Sequence, residues 1–96
     1  MFVILITYKK PLEVVDAHLE EHVRFLEEGY LNNYFIVSGR KNPRTGGVLF
    51  SQLNDHKKLD AFIKLDPFYI NDIADYKIIE FIPGKFHSDF SKFMGV

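Results

Sequence analysis

The chain has 96 residues and a formal net charge of -1, which suits a single domain and gives no basic surface for nucleic acid or anionic membranes. Hydrophobic residues make up 47% of the sequence and aromatic residues 16%, a globular rather than a disordered composition. Cysteine is absent, which excludes disulfides, thiolate metal sites and cysteine nucleophiles.

The N-terminal segment is apolar over residues 2–8 only. It has no basic region before the apolar run and no small-residue cleavage site after it, so we do not expect a signal peptide. No apolar run approaches the ~20 residues that cross a bilayer. We therefore expect a soluble, cytoplasmic protein.

The predicted elements begin with a strand over residues 2–8, which are rich in β-branched and aromatic side chains. Residues 12–31 follow a helical period of about 100° per residue. This period places six apolar residues on one arc: Leu12, Val15, Leu19, Val23, Leu26 and Tyr30. Two asparagines at 32–33 predict the turn that ends the helix.

The second half of the chain continues with strands over residues 34–39 and 48–53, joined by a loop at 40–47 that contains Asn-Pro and Gly-Gly turn signals. A helix is expected over 55–65, with Asn54 or Asp55 as its N-cap.

Pro67 interrupts that helix, and a short helical piece is expected over 67–73. Residues 75–83 predict the last strand. The tail, 84–96, carries three phenylalanines at helix-like spacing: Phe86, Phe90 and Phe93.

The predicted order is β-α-β-β-α-β, which is the α+β, ferredoxin-like arrangement of a four-stranded antiparallel sheet with two helices on one face. The strands are apolar on both faces, so the uncovered face would be an apolar patch of a size that monomers rarely tolerate. We therefore expect a homodimer that packs the open sheet faces together, as in a dimeric α+β barrel. The alternative is that the aromatic tail covers its own sheet.

His22 lies about 60° from the centre of the apolar arc of the first helix, and His18 about 100° from it. His22 is thus expected at the shoulder of the buried face, where an imidazole can line a cleft, and His18 nearer to solvent. The alternative for His22 is a packed histidine that is bonded to a backbone carbonyl.

Asp66 falls on the inner arc of the second helix, with Leu59, Phe62 and Ile63. A carboxylate in that position is costly unless donors or a cation surround it. Asp66 directly before Pro67 is also a common N-cap arrangement, and a cap holds the side chain while leaving one oxygen free.

In this fold both helices lie on the same sheet face, so His22 and Asp66 can meet across the groove between them. A carboxylate beside an imidazole sets its tautomer and strengthens it as a base. There is no serine or cysteine in a nucleophile elbow. The sequence therefore predicts a catalytic pair, with His22 as general acid/base and Asp66 as its orienting group.

Substrate contacts are expected from the end of the second predicted strand and the loop after it, where Ser38, Arg40 and Arg44 lie. Two arginines there can bind a carboxylate or a phenolate. The alternative is a solvated hairpin loop.

Three aromatic residues are also candidates for substrate binding: Tyr8 at the end of the first strand, and Phe68 and Tyr69 after Asp66. The alternative is that they belong to the core.

The stretch "EEHVRFLEEGYLNNYFIVSGRKNPRTGGVLF" together with "LDPFY" resembles the YciI-like (YCII-related) family. Members carry a helical histidine, then a strand ending in Gly-Pro, then an Asp-Pro-aromatic segment. His22 matches the family histidine by its spacing to Gly39, which His18 does not, and "DPF" matches the later segment. Arg40 stands where the family commonly has proline.

The resemblance covers roughly residues 1–83 as one domain, and the tail 84–96 has no counterpart in it. It implies a ferredoxin-like fold, usually a dimer, with a His–Asp pair proposed as an active site, here His22 and Asp66. It also hints at proton transfer on small ring compounds, by analogy alone. Arg40 can add a cation at the cleft mouth and change the substrate.

The predicted function is a small enzyme that eliminates, isomerises or hydrolyses a small polar or aromatic molecule. We expect no organic cofactor, because there is no Rossmann glycine pattern, and no metal, because His18 and His22 lack the His-Glu-x-x-His order. The alternative is a non-catalytic dimeric module that binds a small ligand or regulates a partner. A cavity beside His22 and Asp66 would favour the enzyme or the ligand-binding module over a purely structural role for the pair.

Overall fold

The computed structural model describes residues 1–94 of the chain. One antiparallel sheet has four strands in the order β2-β3-β1-β4. The strands are β1 (Phe2–Tyr8), β2 (Phe35–Arg40), β3 (Gly46–Ser51) and β4 (Ala74–Glu80). The helices are α1 (Leu12–Ala17), α2 (Leu19–Leu31), α3 (His56–Ile63) and α4 (Pro67–Ile70). The predicted ferredoxin-like α+β fold is confirmed.

The core lies between the helices and one face of the sheet. Alternate residues of β1, namely Phe2, Ile4 and Ile6, are at most 4% exposed, as the two-residue period of a strand requires. Leu49 pairs with Ile4 in the sheet and is buried on the same face. This helix-covered face holds the cleft described below.

The predicted continuous helix over 12–31 is wrong at His18, where a turn with φ -112° and ψ 5° separates α1 from α2. A constant rotation per residue holds only within one unbroken helix, so the predicted arc does not carry across the turn. The buried residues of α2 are His22, Phe25 and Gly29. His22 therefore lies within the buried face and not at its shoulder, whereas Val23 is 41% exposed.

His18 itself is only partly exposed. Its Nδ1 atom is buried and has no hydrogen-bond partner within residues 1–94. The expectation that His18 is nearer to solvent is therefore right for part of the ring only.

Other boundaries differ by a few residues. β3 begins at Gly46, earlier than predicted. A Cβ on Gly46 would lie 1.8 Å from the carbonyl oxygen of Ile6, so only glycine allows this strand start. α4 ends at Ile70, and Asp72 has the positive φ of 54° that turns the chain into β4.

None of the helices α1 to α4 covers the second face of the sheet. Its side chains include Val37, which is 52% exposed, and Ile79, which is 42% exposed. The tail forms a short 3-10 helix, Ser88–Phe93, and leaves these residues uncovered in the part of the chain that the structure describes. Gly95 and Val96, the end of the predicted tail, lie outside the described residues. Across residues 1–94, no helix has both the length and the apolar character needed to cross a membrane.

Candidate active site

α2 places the imidazole of His22 between the helix and the core. The side chain is 10% exposed. Its ring stacks on the ring of Phe68, with centroids 4.0 Å apart and planes 4° from parallel. Phe25, one turn along the same helix, has its ring 6.1 Å away. The imidazole is therefore held by aromatic packing as well as by hydrogen bonding.

Asp66 is the N-cap of α4, as its position before Pro67 predicts. Its extended backbone, with φ -65° and ψ 126°, precedes proline at the first helical position. Its Oδ1 atom accepts a hydrogen bond from the backbone N–H of Phe68 at 2.9 Å. The residue is 0% exposed, so the carboxylate that caps α4 lies in the protein interior.

The two predicted residues meet across the groove between α2 and α4. His22 Nδ1 lies 2.8 Å from Asp66 Oδ1, although 44 positions separate the residues in the chain. The tight turn that makes Asp66 a cap also points Phe68 against the imidazole face. One short segment thus supplies both the acceptor at the ring edge and the aromatic surface beneath the ring.

A third group in this cluster, Tyr76 on β4, was not among the predicted site residues. Its hydroxyl donates to Asp66 Oδ2 at 2.6 Å. Burial raises the pKa of the Tyr76 phenol, and the Asp66 charge raises it further. The phenol therefore stays protonated and acts as a donor to the carboxylate.

A cavity of about 180 Å³ lies between α2 and the sheet, and His22 forms part of its wall. The apolar part of the lining includes Leu19, Val23 and Leu26. Cavities of about 150 Å³ in protein interiors hold one benzene-sized molecule. The cavity therefore has room for a single ring.

Three predicted substrate contacts, Tyr8, Ser38 and Arg40, line the same cavity. The Ser38 hydroxyl is 2.7 Å from the hydroxyl of Tyr30. Arg40 is exposed, and it forms no ion pair with any of the residues 1–94. The structure thus brings an imidazole, two hydroxyl groups and a guanidinium to one small cleft.

The other three predicted contacts have different surroundings. Arg44 forms an ion pair with Asp16 on α1, and this hydrogen bond raises the pKa of the guanidinium. Phe68 is 1% exposed and lies behind His22. Tyr69 is 45% exposed and lines a separate depression beside Tyr76. The residue after Phe68 on a helix points about 100° away from it, which directs Tyr69 outward.

Within the described range, 1–94, no group of three or more His, Cys, Asp or Glu side chains is placed to hold an ion.

The protein is a ferredoxin-like α+β domain with a candidate acid–base site. The order of the strands and the placement of the helices define the fold, and the buried His–Asp pair beside a cleft defines the site. The YCII-related domain matches residues 1–82, so the chain belongs to the YCII-related family.

No curated protein matches the sequence. Among solved structures, the chain is similar to the 5-chloro-2-hydroxyhydroquinone dehydrochlorinase from Burkholderia phenoliruptrix AC1100, in complex with 2,5-dihydroxybenzoquinone. The TM-score is 0.70 and the sequence identity 19%, over 88% of this chain and 96% of that chain. At this identity the similarity shows a shared fold.

Proposed function

We propose that the protein is a small enzyme that uses His22 as a general acid/base, oriented by Asp66, on a small polar or aromatic molecule. The observation that carries this proposal is the buried His22 Nδ1···Oδ1 Asp66 contact of 2.8 Å, made by a histidine that also lines a ring-sized cavity. A histidine that served only the core would not need to border such a cavity.

The chemistry follows from the hydrogen bonds of Asp66. An ionised carboxylate only accepts, so His22 Nδ1 carries the proton and Nε2 keeps its lone pair. Nε2 can take a proton from a substrate or a water, and the carboxylate stabilises the imidazolium that results. The imidazolium then gives this proton to the leaving group in an elimination or a hydrolysis, or to a different atom of the substrate in an isomerisation. Elimination, isomerisation and hydrolysis all use such a step.

The proposed substrate is a single-ring or similarly small molecule with an acidic oxygen. The apolar part of the wall accommodates the body of the molecule, and Arg40 offers a guanidinium that suits a carboxylate or phenolate. The dehydrochlorinase of similar fold, solved with a dihydroxybenzoquinone, is compatible with this size by analogy.

The test is a screen of small hydroxylated and carboxylated ring compounds, read by ligand-observed NMR for binding and by product signals for turnover. We choose His22→Gln, because glutamine retains a donor for Asp66, whereas alanine would remove one of the two donors to the buried Oδ1 atom of Asp66. The matched control is His87→Gln, since the His87 side chain is 75% exposed on the tail.

We expect wild type and the His87 variant to turn over at least one bound compound. His22→Gln should bind the same compound and lose about 10²–10⁴-fold in rate, the usual contribution of general acid–base catalysis. If compounds bind in the cleft and none reacts with wild type, the non-catalytic ligand-binding module is the correct function.

We also propose that two copies form a homodimer through the open sheet face. Support comes from the exposed apolar side chains there, which include Val37 and Ile79. Val37→Glu should convert the dimer into a monomer in light-scattering chromatography, whereas Ile70→Glu, an exposed residue on α4, should not. A wild-type protein that is monomeric at micromolar concentration would refute the proposed dimer.

A further inference from the structure

Tyr76 is the third partner of the buried His–Asp pair, and it comes from the sheet and not from the helices. In the β1–β4 ladder it pairs with Ile6, whose side chain is buried on the helix-covered face. This register sends the Tyr76 ring toward the helices, where its hydroxyl lies 2.6 Å from Asp66 Oδ2.

The two oxygens of Asp66 have separate partners. Oδ1 accepts from the backbone N–H of Phe68 at 2.9 Å and contacts His22 Nδ1 at 2.8 Å. Oδ2 accepts from Tyr76 alone among the residues that the structure describes. Because Asp66 is 0% exposed, bulk water has no access to replace any of these donors.

This arrangement fixes the rotation of the carboxylate. With only the backbone N–H and the imidazole on Oδ1, the group can swing about its last bond and lose alignment with His22. The Tyr76 hydroxyl holds the other oxygen, and its raised pKa keeps it a donor. A donor on each oxygen therefore aligns Oδ1 with the imidazole.

We propose that Tyr76 is a positioning residue that locks the Asp66 carboxylate, so that His22 is held as the Nδ1–H tautomer with Nε2 left for the cleft. Its place in a reaction rests on the proposed function above. The tautomer itself is a property of the free protein, and its measurement needs no substrate.

The variant that tests this role is Tyr76→Phe, which keeps the ring and removes only the hydroxyl. The matched control is Tyr69→Phe. Tyr69 is a neighbouring tyrosine, with its ring centroid 6.0 Å from that of Tyr76, and it is 45% exposed. The same atom is deleted in both variants, and only one deletion removes a donor to Asp66.

The measurement is a long-range proton–nitrogen correlation spectrum of the imidazole of His22 in uniformly ¹⁵N-labelled protein at neutral pH. In wild type and Tyr69→Phe we expect the Nδ1–H form to predominate. In Tyr76→Phe we expect the ratio of Nδ1–H to Nε2–H forms to fall about three- to tenfold, the size of one net hydrogen bond. Exchange of the Nδ1 proton with water should also become faster.

Two results would overturn the proposal. One is a wild-type spectrum in which the Nε2–H tautomer predominates, and this result does not depend on how well any variant folds. The other is a Tyr76→Phe spectrum that matches wild type in both tautomer ratio and proton exchange. An inactive protein with the expected tautomer shift would reject the enzymatic function and leave the role of Tyr76 intact.

Discussion

Replacing Asp66 by alanine would remove the acceptor of three donors at once: the Phe68 backbone N–H, the buried His22 imidazole and the partly buried Tyr76 hydroxyl. Loss of the α4 cap costs about 1 kcal/mol. The His22 and Tyr76 donors would each be left unpaired in the interior, at about 1–3 kcal/mol apiece. The expected loss of unfolding free energy is therefore about 3–7 kcal/mol, a large part of the ~5–15 kcal/mol by which domains are stable.

The variant Asp66→Asn keeps the shape of the side chain and removes its negative charge. The amide oxygen can still accept from the Phe68 backbone and from His22, and the Tyr76 hydroxyl can rotate to accept from the amide nitrogen. Only the extra strength of a charged acceptor is lost, about 1–2 kcal/mol. For a domain of this length that corresponds to a fall of about 4–16 °C in Tm.

The assay is urea unfolding at pH 7, followed by circular dichroism, for wild type and both Asp66 variants. Asp89→Ala is the control, because the Asp89 side chain is 92% exposed. We expect the alanine variant to lose more stability than the asparagine variant, about 3–7 against about 1–2 kcal/mol, and the control to stay within about 0.5 kcal/mol of wild type. An Asp66→Ala protein within about 1 kcal/mol of wild type would show that the three donors do not depend on this carboxylate.

Three further perturbations test other contacts. Gly29→Ala should cost about 1–3 kcal/mol in urea unfolding, because its Cβ would lie 2.1 Å from the Phe35 ring; an unchanged midpoint would contradict this packing. Phe68→Ala should cost about 3–5 kcal/mol in the same assay, since the ring is 1% exposed, and a loss under 1 kcal/mol would argue against the stack on the imidazole. Asp16→Asn should lower Tm at pH 7, because the Arg44 hydrogen bond holds the pKa of Asp16 below its ordinary value of 3.8. This stabilisation is present above pH 3.8 and is lost as the pH falls through the lower folded value, so wild type and variant should converge in acid. A difference in Tm that persists unchanged to pH 2 would show that the ion pair is not its cause.

The amino-acid pattern was sufficient to predict the fold and the contact between His22 and Asp66. Strand and helix periods predict the element order, and that order places both helices on one sheet face. Within that frame, the sequence indicates that His22 leans toward the inner side of its helix and that Asp66 occupies a cap position, but it does not give the exact helical angle of His22. Their contact follows because each points inward from a neighbouring helix.

The remaining features depend on tertiary packing. The turn at His18 changes the rotation of α2, which no constant helical period can reveal. The stack of Phe68 on His22 depends on how α2 and α4 pack against each other, which the sequence pattern does not specify. Tyr76 was missed, although the sequence carried a signal for it. Strand alternation places Tyr76 on the same sheet face as Ala74 and Ile78 of β4. A polar hydroxyl on an inward position is itself an indication of a buried partner.

The proposed acid–base pair and the proposed substrate contacts come from different layers of the molecule. His22 and Asp66 belong to the helices, whereas Tyr8, Ser38 and Arg40 project from the strands opposite. Under the proposed function, exchange of Tyr8, Ser38 or Arg40 would change which compound is accepted and leave the hydrogen bond between His22 and Asp66 in place.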